Sequence, residues 1–257
     1  MKKIVIVALA SLLTVSAAFA YLGEIVASYR IPAPGTPCGV GVAVGDLYVL
    51  TDNSLNMVYR LNRDTGSLIG SFRTPYGFGN RGLCYSTGGH VWIGCIPKEH
   101  VYNCYGGTGS VFGSWSAGQG PWGLAPFASG DGGAGTKAIF SRDNSPNLVK
   151  RHHMTTGSVF ASFPLQHSSI FDFAYDFRNK LFWADYNSPP AIYGYSATNG
   201  SVVASFPRPY AGSGYGLAYS HSYLWIAMDN HYIYKVKCPS GVGISPASMG
   251  KVKAIFK

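Results

Sequence analysis

The chain is short of acids. Aspartate and glutamate together number 11, only two of them glutamates (Glu24 and Glu99), and charged residues make up 12% of the sequence, about half the usual share. A carboxylate-rich catalytic or metal centre has few residues to draw on. The formal charge of +9 follows from this scarcity, because the lysines and arginines are scattered and form no run. Scattered cations argue against nucleic-acid binding and leave an acidic polymer or anionic cell surface open. Beyond the N-terminal segment no apolar run is long enough to span a bilayer, and no 3.6-residue periodicity announces a helix. The five cysteines, Cys38, Cys84, Cys95, Cys104 and Cys238, contain no C-x-x-C pair. An odd count leaves at least one thiol free. Cys84, Cys95 and Cys104 fall on three successive strands with no two opposed, so buried thiols are expected in place of a disulfide framework. No Gly-x-Ser-x-Gly elbow is present; Gly212-Ser213-Gly214 is a loop fragment.

The first twenty residues read as a signal peptide. Lys2 and Lys3 make a positive start, Ile4 to Leu13 an apolar core, and Ala18-Phe19-Ala20 a small-residue cleavage site before Tyr21. The apolar run is shorter than a spanning helix and has no positive stop-transfer flank. A secreted, periplasmic or otherwise extracellular location is therefore expected, with residues 21–238 as one domain and 239–257 as a tail or the start of a further strand. The 33 glycines and 18 tyrosines suit tight turns and aromatic strands.

Internal repetition carries the fold. Gly23-Glu24-Ile25-Val26-Ala27-Ser28-Tyr29 returns as Gly66-Ser67-Leu68-Ile69-Gly70-Ser71-Phe72, as Gly109-Ser110-Val111-Phe112-Gly113-Ser114-Trp115, as Gly157-Ser158-Val159-Phe160-Ala161-Ser162-Phe163 and as Gly200-Ser201-Val202-Val203-Ala204-Ser205-Phe206, with spacings of 43, 43, 48 and 43 residues. Each copy continues through a Pro/Gly-rich loop, a small-apolar strand such as Gly216-Leu217-Ala218-Tyr219, an aromatic strand such as Leu224-Trp225-Ile226-Ala227, an Asp-Asn loop, and a third strand such as Tyr232 to Val236. Runs of this length, bounded by turn residues, are strands. Four strands per copy predict an all-β propeller of four-stranded antiparallel blades. Because the chain begins with the Ser-aromatic strand and its fifth copy ends on the third, the N-terminal strand should close the last blade. Five blades are favoured. Gly250 to Phe256 looks like a sixth copy of the first strand and keeps six open. A linear β-solenoid is the weaker rival.

Leu181-Phe182-Trp183-Ala184-Asp185 followed by Ala191-Ile192-Tyr193 resembles the Tyr-Trp-Thr-Asp (YWTD) propeller repeat, and with Asn187 it is similar to the NHL-type repeat. Val49-Leu50-Thr51-Asp52-Asn53 and Ile226-Ala227-Met228-Asp229-Asn230 are further matches, and Phe140-Ser141-Arg142-Asp143-Asn144 a looser one. The resemblance spans nearly the whole mature chain as a statement of fold. It implies a structural role for Asp52, Asp143, Asp185 and Asp229, tying loops of neighbouring blades. The second copy, with Ile93-Gly94-Cys95-Ile96, has no such Asp. Propellers of this kind include receptors, scaffolds, lactonases and lyases, so function must be argued from a site.

Aligning the copies places Cys38, Arg81, Trp122, Phe171 and Tyr215 just before the innermost strand, near the axis, with Asp172 beside Phe171 as the only acid there. Arg81, Trp122, Phe171, Asp172 and Tyr215 are the candidate ligand-binding residues. Aromatic faces suit sugars or apolar groups, and a guanidinium pairs with a carboxylate. The structural alternative is that they plug the channel. Trp92, Trp183 and Trp225 occupy equivalent positions and are expected between blades, with Trp115 in the core. His152 and His153, beside Lys150 and Arg151, point to opposite faces and read as a solvated strand end rather than a chelate. The insertion Ala128 to Gly135 offers only Asp131 to calcium, which is poor ligation.

Three functions follow. A secreted, monomeric module binding a glycan, peptide or cell-surface component is favoured, with no cofactor and no catalytic or metal-ligating residue assigned. A metal-dependent lactonase or lyase is the second, weakened because Glu24 and Glu99 lie away from inner-strand starts. A structural exported repeat protein without small ligand is the third.

Overall fold

The computed structural model describes residues 23–238, apart from 33, 53–55, 119, 128–137, 144–147, 168–169, 188–189 and 209. The segment read as a signal peptide, residues 239–257 and the insertion therefore lie outside the described residues. All regular structure described is β: twenty strands in five four-stranded sheets. The first blade is Thr36–Val42 (β2), Asp46–Asp52 (β3), Met57–Asn62 (β4) and Leu68–Arg73 (β5). The second is Asn80–Ser86 (β6), His90–Cys95 (β7), His100–Tyr105 (β8) and Val111–Ser116 (β9). The third is Gly123–Pro126 (β10), Ala138–Asp143 (β11), Leu148–His153 (β12) and Val159–Pro164 (β13). The fourth is Ile170–Asp176 (β14), Leu181–Asn187 (β15), Pro190–Ser196 (β16) and Val202–Pro207 (β17). The fifth takes Gly214–Ser220 (β18), Tyr223–Met228 (β19) and Tyr232–Lys237 (β20) from the end of the chain and Ile25–Arg30 (β1) from its start, β1 pairing antiparallel to β20. This is the five-bladed β-propeller that the repeat predicts, closed by its N-terminal strand.

The inner strands β2, β6, β10, β14 and β18 neighbour one another around the axis. Five hydrophobic clusters fill the five junctions between blades. One register position on the second strand feeds each junction: Tyr48, Trp92, Phe140, Trp183 and Trp225, opposite Arg60, Asn103, Arg151, Gly194 and Lys235 of the third strand. The three tryptophans are buried, each contributing roughly 2–3 kcal/mol from apolar area alone.

The repeated glycine and the repeated aromatic are two halves of one contact. The aromatic that ends one outer strand lies on the glycine that opens the next: Tyr29 on Gly66, Phe72 on Gly109, Trp115 on Gly157 and Phe206 on Gly23, while Gly200 meets the Pro164 carbonyl instead. These five glycines have φ between 70° and 78°, so both the turn and the ring above exclude a side chain.

One expectation is corrected here. His152 is fully buried: Nε2 lies 2.7 Å from Ser141 Oγ, Nδ1 lies 2.8 Å from the Gly157 carbonyl, and the ring stacks 4.6 Å from Trp115. Only His153 is solvated. Arg151 is stacked 3.8 Å over Phe127 and so is a covered side chain too. The strand alternation separates the two histidines, but it sends one of them into a blade junction. All five cysteines are buried and unpaired.

Candidate functional site at the axial mouth

The inner strands reach the axis through a shared irregularity. The ladder between first and second strands slips between Pro37 and Gly39, between Asn80 and Leu83, between Ile170 and Phe173, and between Gly214 and Gly216. In the third blade pairing starts at Gly123, with Trp122 bonded through its N–H to the Arg142 carbonyl at 3.0 Å. A bulge leaves a residue unpaired and re-aims it. The residues so released are Cys38, Arg81, Phe171 with Asp172, and Tyr215, so one turn of the axis collects the aligned positions.

Directly after them the backbones crowd. A Cβ on Gly216 would stand 2.9 Å from the Gly39 backbone, one on Gly39 2.7 Å from Leu83 N, one on Gly82 2.7 Å from Gly123 Cα, and one on Gly123 2.6 Å from Asp172 Oδ1. Four blades therefore place glycine at this ring. The fourth blade places Asp172, whose carboxylate fills the centre. Oδ1 accepts from its own neighbour Phe173 N at 2.8 Å, and Oδ2 from Leu217 N of the fifth blade at 2.9 Å. Leu124 N of the third blade also donates to it. Asp172 is buried. Burial pushes its carboxyl well above the usual carboxylate range, against the pull of the three N–H donors and of Arg142. Its geometry is that of an axial tie between three blades.

Below this ring Val40, Val42, Cys84, Leu124, Ala125, Ala174 and Leu217 close the channel to a cavity of about 10 Å³, the room of roughly one water. The plug combines these small side chains with the rings of Tyr85, Tyr175 and Tyr219. Arg81, Trp122 and Tyr215 stand at the mouth and remain partly exposed.

Arg81 joins the first three blades. Its Nη2 lies 2.7 Å from Asp52 Oδ2, and its guanidinium carbon lies 5.9 Å from the centre of the Trp122 ring. Arg81 and Asp52 keep 26% and 29% of their side-chain area exposed, so the pair is solvated and available. The side chain of Phe171 lies outside the described residues, as does that of Asp143. Asp185 is buried beside Arg208 and accepts from Tyr210 Oη at 3.0 Å, both on the segment leading to the fifth blade. Asp229 accepts from Ser213 N at 3.1 Å and stays exposed.

Sequence reasoning missed a buried amide network under Arg81. Asn80 Nδ2 donates to Asn56 Oδ1 at 3.1 Å, to Thr74 Oγ1 at 3.0 Å and to the Tyr76 carbonyl at 2.8 Å, while Cys38 Sγ contacts the Asn80 carbonyl at 3.3 Å. The only signal in the sequence was the polar residue ahead of Arg81-Gly82-Leu83, and its partners lie 6 and 24 residues away. Glu24 and Glu99 are exposed and lie outside the inner strands. Among the described residues no three of His, Cys, Asp and Glu come together in a way that could hold a metal ion.

No family model matches the sequence, and no curated protein matches it. Among solved structures the chain is similar to the crystal structure of Myxococcus xanthus glutaminyl cyclase, with a TM-score of 0.66 over 84% of this chain and 96% of that one at 12% identity. At that identity the likeness shows the fold.

Proposed function

We propose that the chain is a secreted propeller that binds an extracellular ligand, a glycan or peptide presenting a carboxylate beside a planar group, at the axial mouth formed by Arg81, Trp122 and Tyr215. The observation that carries this reading is the Arg81 guanidinium, which is braced by Asp52 of one blade, laid over Trp122 of another, and still open to solvent. A braced guanidinium offers its remaining N–H fork to a carboxylate without losing side-chain entropy, and the neighbouring ring supplies a stacking face. Export rests on the charged and apolar N-terminal segment with its Ala18-Phe19-Ala20 site. No described helix is long and apolar enough to cross a membrane. The blades are read as YWTD/NHL-type on the motifs quoted above, and the working state as a monomer. The test is a glycan and peptide screen with the purified protein, followed by Arg81→Ala and Trp122→Ala. Loss of binding by roughly tenfold or more, with melting nearly unchanged, supports the reading. Binding that survives both variants overturns it.

The fold shared with a glutaminyl cyclase, together with the buried carboxyl of Asp172 on the axis, favours a second reading as an enzyme. Both oxygens of Asp172 are already engaged by backbone N–H groups, which argues for a structural carboxylate. Incubating the protein with glutaminyl peptides and following cyclisation decides it: turnover that Asp172→Asn abolishes would replace the binding reading with this one.

A further inference from the structure

At the end of the propeller away from the mouth, the junction of the fifth and first blades opens into a cleft of about 190 Å³ lined by Arg63, Ser220, His221, Tyr223, Trp225 and Lys235. Lys235 and Arg63 come from different blades and are both cations. The corresponding positions in other blades show what is missing. The register position of Lys235 is held by Arg60 in the first blade; each faces the second-strand aromatic, Trp225 here and Tyr48 there, and the position diagonal to it on that strand is Tyr223 here and Asp46 there. Arg60 is neutralised by Asp46 at 2.7 Å. Lys235 instead lies 4.3 Å over the Tyr223 ring and 5.1 Å over Trp225. The second blade solves the same pairing with His90 and Asn103, 2.9 Å apart. In the third blade Arg151 holds this position and lies over Phe127 at 3.8 Å and Phe160 at 4.7 Å; what sets the fifth blade apart among the described residues is a second cation, Arg63, on the other wall of the same cleft.

No carboxylate lines the cleft. Asp64, the acid next to Arg63, lies 3.9 Å from its Nε and is 77% exposed, while Arg63 Nη1 reaches the Ala43 carbonyl at 3.4 Å, which holds the guanidinium at the cleft wall. Two like charges lining one cleft repel each other unless an anion bridges them. The turn beside them is also held unusually: His221 and Ser222 both adopt left-handed φ, 49° and 68°, where the second blade uses Gly88 and Gly89, and it sets exposed His221 3.0 Å from the buried Ser220 hydroxyl.

We propose that this cleft is an oxyanion site that takes a phosphate or sulfate group, free or carried on a sugar, between Lys235 and Arg63. The planar guanidinium supplies a two-pronged donor, the ammonium a point charge, and the Tyr223 hydroxyl a further donor. The site is separate from the axial mouth and stands whatever that mouth binds.

The experiment titrates the purified protein with inorganic phosphate and with glucose 6-phosphate by calorimetry, and measures melting in phosphate against chloride of equal ionic strength. Phosphate should release or absorb heat at one site and raise melting. Lys235→Gln and Arg63→Gln should each weaken binding by roughly tenfold, Lys235→Arg should retain it, and Arg60→Gln should leave it unchanged. Tighter binding of the sugar phosphate than of phosphate identifies a sugar-borne group, and equal binding a free ion. Absence of heat and melting shift with both probes, or a shift that persists in Lys235→Gln and Arg63→Gln, overturns the proposal. Lys235→Arg guards against misreading a folding defect, because it keeps both the charge and the packing over Tyr223.

Discussion

A Cβ placed on Gly66 would stand 2.6 Å from Cδ1 of Tyr29. The two residues lie on neighbouring blades, and Tyr29 also stacks on Trp225 at 6.3 Å. The strand that closes the ring is thereby locked to both sides of the closure. Gly66→Ala must push the ring away and hold alanine at a φ of 70°, so we expect it to cost about 2 kcal/mol and lower melting by roughly 4–8 °C. Gly70→Ala, on the outer strand that follows, with nothing within 4 Å, is the control and should be neutral or stabilising. Equal melting of the two variants would show that the interlock does not hold the ring.

Asp172 occupies the place where the other four blades have glycine. Asp172→Ala leaves the N–H groups of Leu124, Phe173 and Leu217 without their acceptor, at about 1–3 kcal/mol each where water cannot reach them. Denaturant unfolding should therefore show a loss of about 3 kcal/mol or more. Asp172→Asn keeps one oxygen acceptor and should lose less. Asp172→Gly restores the residue used by its neighbours and should still destabilise, because the four glycine blades converge on this carboxylate. A harmless Asp172→Ala would remove the axial tie from the account of the fold.

What was legible in the sequence followed from spacing. The return of Gly, Ser and an aromatic every 43 or 48 residues identifies strands that must pack alike, and the alignment it licenses falls on the bulges at the axis. What was not legible depended on which distant backbone a side chain meets. Asp172 reads as a lone acid beside Phe171 because its partner Leu217 lies 45 residues away. His152 reads as solvated because alternation says which face it takes but not that Trp115 and Ser141 wait there. Lys235 looks like any strand lysine until its contact with Tyr223 is compared with that of Arg60 with Asp46.

The five thiols should be silent in the native protein. All are buried, and burial pushes the Cys104 thiol up to about 12 and those of Cys38, Cys84 and Cys238 upward as well, so thiolate is scarce at neutral pH. A thiol reagent should find none in the folded protein and five in denaturant, with no change after prior reduction. Reaction of fewer than five in unreduced, unfolded protein would reveal a disulfide and overturn this arrangement.

Asp185 gives the fold a pH dependence of definite sign. Burial raises its carboxyl from 3.8 to about 6, although Arg208 and the Tyr210 hydroxyl pull it down. Between those two values the folded protein binds more protons than the unfolded chain, so this group's contribution to stability is fully present below about pH 4 and is lost as pH rises to about 6. The gap corresponds to about 3 kcal/mol. Asp185→Asn removes the titration while leaving an amide to meet Arg208 and Tyr210. Its melting temperature will differ from that of the parent at every pH because Arg208 loses its counter-charge, so the readout is the slope. As pH rises from 4 to 7, the parent should lose several degrees relative to Asp185→Asn. Parallel pH profiles would mean that Arg208 holds Asp185 ionised throughout, and the ion pair would then be a constant of the fourth and fifth blades with no acid-sensitive step.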